Sequence, residues 1–125
     1  MSKILVVDDE EDVRVMLKTA LHREGCNVST AASGREALAL YKNEGFDLVI
    51  TDMVMPDVSG IDLIMELRNL NAEINIIAIS GGGGITGRFE YLPIAKLIGA
   101  NHIFSKPFSL AEIRKAVDSM LLEAS

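Results

Sequence analysis

The chain has 125 residues, 49% of them hydrophobic and 24% charged, which is the size of one domain with ordinary globular usage and excludes disordered, collagen-like and disulfide-framework classes. A net charge of −6 leaves no basic footprint for gripping nucleic-acid phosphates, and the single cysteine, Cys26, cannot form an internal bridge. No apolar run reaches the roughly 20 residues that span a bilayer, and the apolar stretch after Lys3 stops at Asp8, too early for a secretory leader, so a cytoplasmic protein without membrane contact is expected.

Short apolar runs at Ile4–Val7, Asn27–Ala31, Leu48–Thr51, Ile74–Ile79 and His102–Phe104 predict strands. The first, third and fourth are apolar without alternation, as in a parallel sheet covered on both faces. Between the first two, Val13, Met16, Leu17, Ala20 and Leu21 recur at helical spacing and predict a helix ending near Gly25. Ser33 is placed as the N-cap of a second helix, with Glu36 three residues on, Ala37, Leu38 and Tyr41 inward, and Gly45 as its stop after Glu44. Gly60 opens a third, with Ile61, Ile64, Met65 and Leu67 or Arg68 on its stripe. A shorter helix is expected over Phe89–Ile98, with Pro93 near its start. Ser109 caps the last, whose stripe is Leu110, Ile113, Val117, Met120 and Leu121. Met16, Met65 and Met120 read as core filler. The alternation predicts an α/β domain of five βα units with right-handed crossovers, over residues 1–125 as one unit.

In such a sheet, ligands bind beyond the carboxyl ends of the strands. The polar residues there are Asp8 and Asp9, Asp52, Ser80, and Lys106 followed by Pro107. Carboxylates converging at one rim repel unless a cation lies between them, and a few hard oxygen donors suit Mg²⁺. A lysine and a hydroxyl beside them suit phosphoryl oxygens, so the set describes a carboxylate nucleophile that accepts a phosphoryl group. Glu10, Glu11 and Asp12 read as the solvated acidic start of the first helix, and Asp57 as a turn residue. His22 and His102 have no partners at zinc-ligand spacing.

Four segments carry a family resemblance: Val6-Val7-Asp8-Asp9-Glu10, Asp47 through Asp52-Met53-Val54-Met55-Pro56 to Gly60, Ile79-Ser80-Gly81, and Ser105-Lys106-Pro107-Phe108. In this order they resemble the receiver domain of two-component response regulators, over essentially the whole chain. The resemblance implies a doubly wound (βα)5 flavodoxin-like fold with a five-stranded parallel sheet of order 2-1-3-4-5. It further implies that Asp52 is the phosphoacceptor, served by a sensor histidine kinase or a histidine phosphotransfer protein. Mg²⁺ would be held by Asp8, Asp9, Asp52 and the backbone carbonyl of Val54, Asp9 directly and Asp8 through water. Lys106 would pair with the phosphoryl group, Ser80 would reach for it and draw the following loop inward, and the Lys106–Pro107 bond would be cis. The implied function is a phosphorylation-dependent switch that changes its surface for a downstream protein target. It would not be an enzyme beyond its own phosphotransfer and autodephosphorylation, and a phosphorylation-linked homodimer is compatible with it. The output surface would include Ile103 and Lys96.

Two features depart from the family pattern. Ile103 stands where an aromatic switch residue is usual, and Phe104 faces the other side of the strand, toward the core. The segment after Ser80 is long and glycine-rich, and although Gly82, Gly84 and Gly87 spell G-x-G-x-x-G, no acid follows about 20 residues on, so a mobile loop is the preferred reading over a dinucleotide site. The main rival is a phosphorylation-independent, receiver-like interaction module. An aspartyl-phosphate phosphatase would need a second acid where Val54 stands, and an FMN carrier would need aromatic residues the chain lacks.

Overall fold

In the computed structural model, residues 2–22, 26–53, 55, 57–80 and 99–124 are described. They form β1 (Lys3–Val7), α1 (Glu11–His22), β2 (Asn27–Ala31), α2 (Gly34–Glu44), β3 (Leu48–Asp52), α3 (Gly60–Leu70), β4 (Asn75–Ser80), β5 (His102–Ser105) and α4 (Leu110–Ala124). All strand pairs are parallel, in the order β2-β1-β3-β4-β5. The expected helix over Phe89–Ile98, the expected helix end at Gly25, Val54, Lys96 and the glycine run from Gly81 to Gly87 lie outside the described residues.

Continuous apolar runs became the central strands because both faces of the sheet are covered. Alternate residues of β1, β3 and β4 feed two separate cores. Leu5, Val7, Val49, Ile76 and Ala78 join Leu63, Ile64 and Leu67 of α3 and Ala37 of α2 on one face. Ile4, Val6, Leu48, Ile50, Ile77 and Ile79 join Leu17 and Leu21 of α1 and Ile113, Val117 and Met120 of α4 on the other. Each Val, Leu, Ile or Met among them contributes roughly 1.5–3 kcal/mol on full burial. The outer strands, β2 and β5, are only partly covered, as their more polar sequences require.

The helix boundaries follow their caps. The Glu36 amide donates to Ser33 Oγ (3.2 Å), while Glu36 Oε1 accepts from the Ala32 amide (2.7 Å), a reciprocal clasp on the first turn of α2. Gly45 ends that helix at φ 71°, in the left-handed region that glycine enters without a Cβ penalty. Ser59 and Ser109 cap α3 and α4, their hydroxyls accepting from the amides of Asp62 (3.2 Å) and Glu112 (3.3 Å).

Two methionine expectations are corrected. Met65 is 50% exposed, because the inward stripe of α3 runs through Gly60, Leu63, Ile64 and Leu67, and a further residue of 100° rotation carries Met65 outward. The Leu63 position belongs to that stripe and was missed. Met16 is 39% exposed at the edge of its stripe, where it lines a surface groove with Thr19, Ala20, Leu110 and Arg114. Met120 is buried as expected. Phe104 does turn to the face opposite Ile103, but on an outer strand it is only partly buried.

The end of the domain away from the strand C-termini is tied by Arg68 of α3. Its guanidinium donates to the carbonyls of Ala72 (2.9 Å) and Gly99, and to Asn101 Oδ1 (2.9 Å). Among the described residues no helix is long and apolar enough to cross a membrane.

Candidate functional site

Strand pairing brings the predicted residues to one edge. Val7 pairs with Thr51 and Asp52 with Ile79, so β1 and β3 end side by side, and Ser80 pairs with Ser105 one step before Lys106. Backbone bonds fix what lies just beyond the strands. The Asp8 amide donates to Ala31 O (3.1 Å), the Met53 amide to Ile79 O (2.9 Å) and the Lys106 amide to Ser80 O (3.0 Å). The Lys106–Pro107 peptide is cis, as the resemblance implied.

Lys106 Nζ is the hub. It lies 3.2 Å from Asp8 Oδ2, 3.4 Å from Asp52 Oδ2 and 2.9 Å from Glu10 Oε1. Asp8, Asp52 and Ser80 are at most 4% exposed, while Asp9 stands open to solvent. Burial pushes the Asp8 carboxyl above its ordinary pKa, against the opposing pull of the Glu10 amide and the Lys106 ammonium. Burial also pulls on Lys106 in the direction of neutrality. The hydrogen bond that the ammonium donates to Glu10 and the charges of Asp52 and Asp8 outweigh it, so the ammonium titrates above its usual range and stays charged.

Among the described residues, two buried side-chain polar atoms lack a hydrogen bond: Asp8 Oδ2, which meets the ammonium of Lys106 at 3.2 Å as an ion pair, and the hydroxyl of Ser80. A buried polar atom left so is costly unless a ligand completes it. Carboxylate oxygens of Asp8 and Asp9 lie within 4.8 Å of each other, with that of Glu10 beside them but engaged by Lys106, so the aspartate pair offers hard-oxygen donors that suit Mg²⁺. The residues present therefore fit the expected metal. The Val54 carbonyl lies outside the described residues.

Several participants were not foreseen. Glu10 is placed before α1 and pairs with Lys106, where the sequence had suggested a solvated helix start. Arg14 donates to the Asp8 carbonyl (2.8 Å), and the buried Thr51 hydroxyl donates to the Asp52 carbonyl (3.0 Å). Asp57 is more than a turn residue. Its carboxylate accepts from the amides of Gly34 (3.3 Å) and Arg35 (3.1 Å), capping α2 from the loop that follows β3. Nothing in the local sequence announces contacts 22 and 23 residues away.

Five parallel strands in this order, with acids, a hydroxyl and a lysine gathered at their carboxyl ends, define a doubly wound α/β domain with a polar cleft at the topological switch point. The model of the response regulator receiver domain matches residues 4–118, and the chain belongs to that family. It is 34% identical over 119 residues to sporulation initiation phosphotransferase F of Bacillus subtilis, covering 95% of this chain and 93% of that one. It is 31% identical to response regulator SaeR of Staphylococcus aureus, covering 97% of this chain and 51% of that one. A probable transcriptional regulator, ycf27 of Cyanophora paradoxa, is 39% identical with 95% of this chain and 48% of its own length covered. The chain thus spans about half the length of the last two. Among solved structures, a response regulator receiver domain from Clostridium thermocellum superposes with a TM-score of 0.89 at 29% identity, over 99% of this chain and 97% of that one. The chemotaxis response regulator CheY4 of Vibrio cholerae gives 0.84 at 30% identity, over 96% and 98%. The flavodoxin-like fold and the 2-1-3-4-5 order expected from the resemblance are thereby established.

Proposed function

We propose that this chain is a phosphorylation-dependent switch of a two-component phosphorelay, working in the cytoplasm, with Asp52 as its phosphoacceptor. The observation that carries the reading is a nearly buried Asp52 carboxylate whose Oδ2 lies 3.4 Å from the Lys106 ammonium, beside the unsatisfied hydroxyl of Ser80.

The donor is a phosphohistidine on a sensor kinase or a phosphotransfer protein. An Asp52 carboxylate oxygen attacks phosphorus in line, the new O–P bond forms as the N–P bond breaks, and the departing imidazole nitrogen takes up a proton. Lys106 carries positive charge to the phosphoryl oxygens throughout, because it stays protonated. Asp8, Asp9, Asp52 and the Val54 carbonyl would hold Mg²⁺, which would supply charge neutralisation at the transferred group. In the phosphorylated chain the Ser80 hydroxyl donates to a phosphoryl oxygen, which satisfies it and couples phosphorylation to the surface that a downstream protein reads. Hydrolysis of the acyl phosphate by water resets the switch, and no other substrate is turned over.

The test is intact-protein mass after incubation with acetyl phosphate, with and without Mg²⁺, on the wild type and on Asp52→Asn. A metal-dependent gain of one phosphoryl group that the variant loses is the expected result. Equal gain by a folded Asp52→Asn would remove the site assignment. No gain by the wild type, together with no response to beryllofluoride, would favour a phosphorylation-independent interaction module.

A further inference from the structure

Lys106 has more partners than its role requires. Two of them, Asp8 and Asp52, are buried acids of the cleft. The shortest contact, 2.9 Å with hydrogen-bond geometry, goes instead to Glu10, whose side chain is 62% exposed at the rim. We infer that Glu10 is a positioning residue for phosphotransfer, a counter-ion that holds the Lys106 ammonium at the rim and must yield it when a phosphoryl group arrives at Asp52. The inference rests on the phosphoacceptor reading of Asp52.

Geometry supports an exchange of partners. A lysine ammonium has three donors on a flexible stem, so it can leave one carboxylate for another without moving the backbone. The backbone of Lys106 is anchored to Ser80 O, and only the side chain is left to swing. Glu10 is the partner suited to release. Its carboxylate is open to water, which solvates it once the ammonium departs, whereas Asp8 and Asp52 are buried and cannot lose a cation without cost. The Glu10 amide donates to Asp8 Oδ1 (2.9 Å), so the residue's backbone stays with the acid cluster when its side chain lets go. Glu10 also places a negative charge at the rim that an anionic phosphodonor must approach. Both effects act in the same direction: the carboxylate slows phosphoryl uptake.

The measurement is the rate of acetyl phosphate-driven phosphorylation and the affinity for beryllofluoride, in Mg²⁺, for the wild type, Glu10→Gln and Glu11→Gln. Glu11→Gln removes the same charge from the first turn of α1 at a residue with no recorded contact to Lys106 among the described residues. Glu10→Gln is expected to be faster and tighter by about twofold to fivefold, the range an exposed ion pair carries, with the gain shrinking in molar salt. Glu11→Gln is expected to change neither. A second readout needs no phosphoryl donor and no metal: in protein labelled with ¹⁵N-lysine, the ammonium signal of Lys106, identified by its loss in Lys106→Ala, should shift in Glu10→Gln and hold in Glu11→Gln. If the wild type takes up phosphoryl groups while Glu10→Gln matches it in rate and in ammonium signal, the role of Glu10 is overturned and that of Asp52 stands. If Glu11→Gln accelerates equally, the effect is general charge and the positioning role is again overturned. A wild type that accepts no phosphoryl group and binds no beryllofluoride would overturn both.

Discussion

Gly60 shows how closely one residue can bear on Asp52, the proposed phosphoacceptor. A Cβ built there would lie 2.3 Å from the Asp52 carbonyl oxygen and 2.5 Å from Met53 Cα, both backbone atoms that cannot swing aside. The first turn of α3 therefore rests directly on the end of β3, and the Gly60 amide donates to Met53 O (3.0 Å) in the same contact. Gly60→Ala must push helix and strand apart. Overpacking of this kind costs about 1–3 kcal/mol, so a lower urea midpoint by circular dichroism is expected, together with slower phosphorylation because the displaced backbone is that of Asp52 itself. An unchanged midpoint would mean that α3 can lift without strain. At this scale the sequence was most informative where a polar side chain stands at the end of an apolar run. Asp8, Asp52, Ser80 and Lys106 stand out for that reason, and the structure gathers all four at one edge. Glu10 did not stand out, since an acid before a helix is chemically ordinary and its lysine lies 96 residues away.

Among the elements, α2 is held by a group that belongs to none of its own turns. Asp57 accepts from two of the amides that a helix N-terminus leaves unpaired, and from the Val58 amide, which has the largest part in lowering its pKa below 3.8. The folded carboxyl is the stronger acid, so the unfolded chain binds the extra proton, and the stabilisation is present above pH 3.8 and is lost as pH falls through the folded value. Asp57→Asn keeps an acceptor oxygen but removes the charge. Its urea midpoint should lie below that of the wild type at pH 7, and the two should converge as pH falls below 3.8. A gap that persists at pH 2 would assign the effect to shape rather than charge. Local signals served well for the same helix. Ser33, Glu36 and Gly45 were legible because caps act within three or four residues, whereas the Asp57 clasp depends on where β3 and its loop bring the chain.

For the whole molecule, the two-sided burial of the sheet made the architecture readable. Leu48–Ile50 and Ile76–Ile79 are apolar at every position because odd and even residues serve different cores, and no half-exposed strand produces that pattern. Strand order was not readable from burial and came through resemblance, because β1, β3 and β4 have equivalent patterns and only pairing distinguishes them. The same pairing order has a further consequence. Glu10 precedes Lys106 by 96 residues and Asp52 precedes it by 54, so the cleft joins distant parts of the chain. During synthesis β1 and β3 emerge before β5, and for that interval the proposed acceptor Asp52 lacks Lys106. Chains ending at residue 100 should therefore gain no mass from acetyl phosphate, and uptake by such a fragment would show that the acids suffice. Chemical readiness is thus expected only once β5 has carried Lys106 to the acids, after the strands that bear those acids are already made.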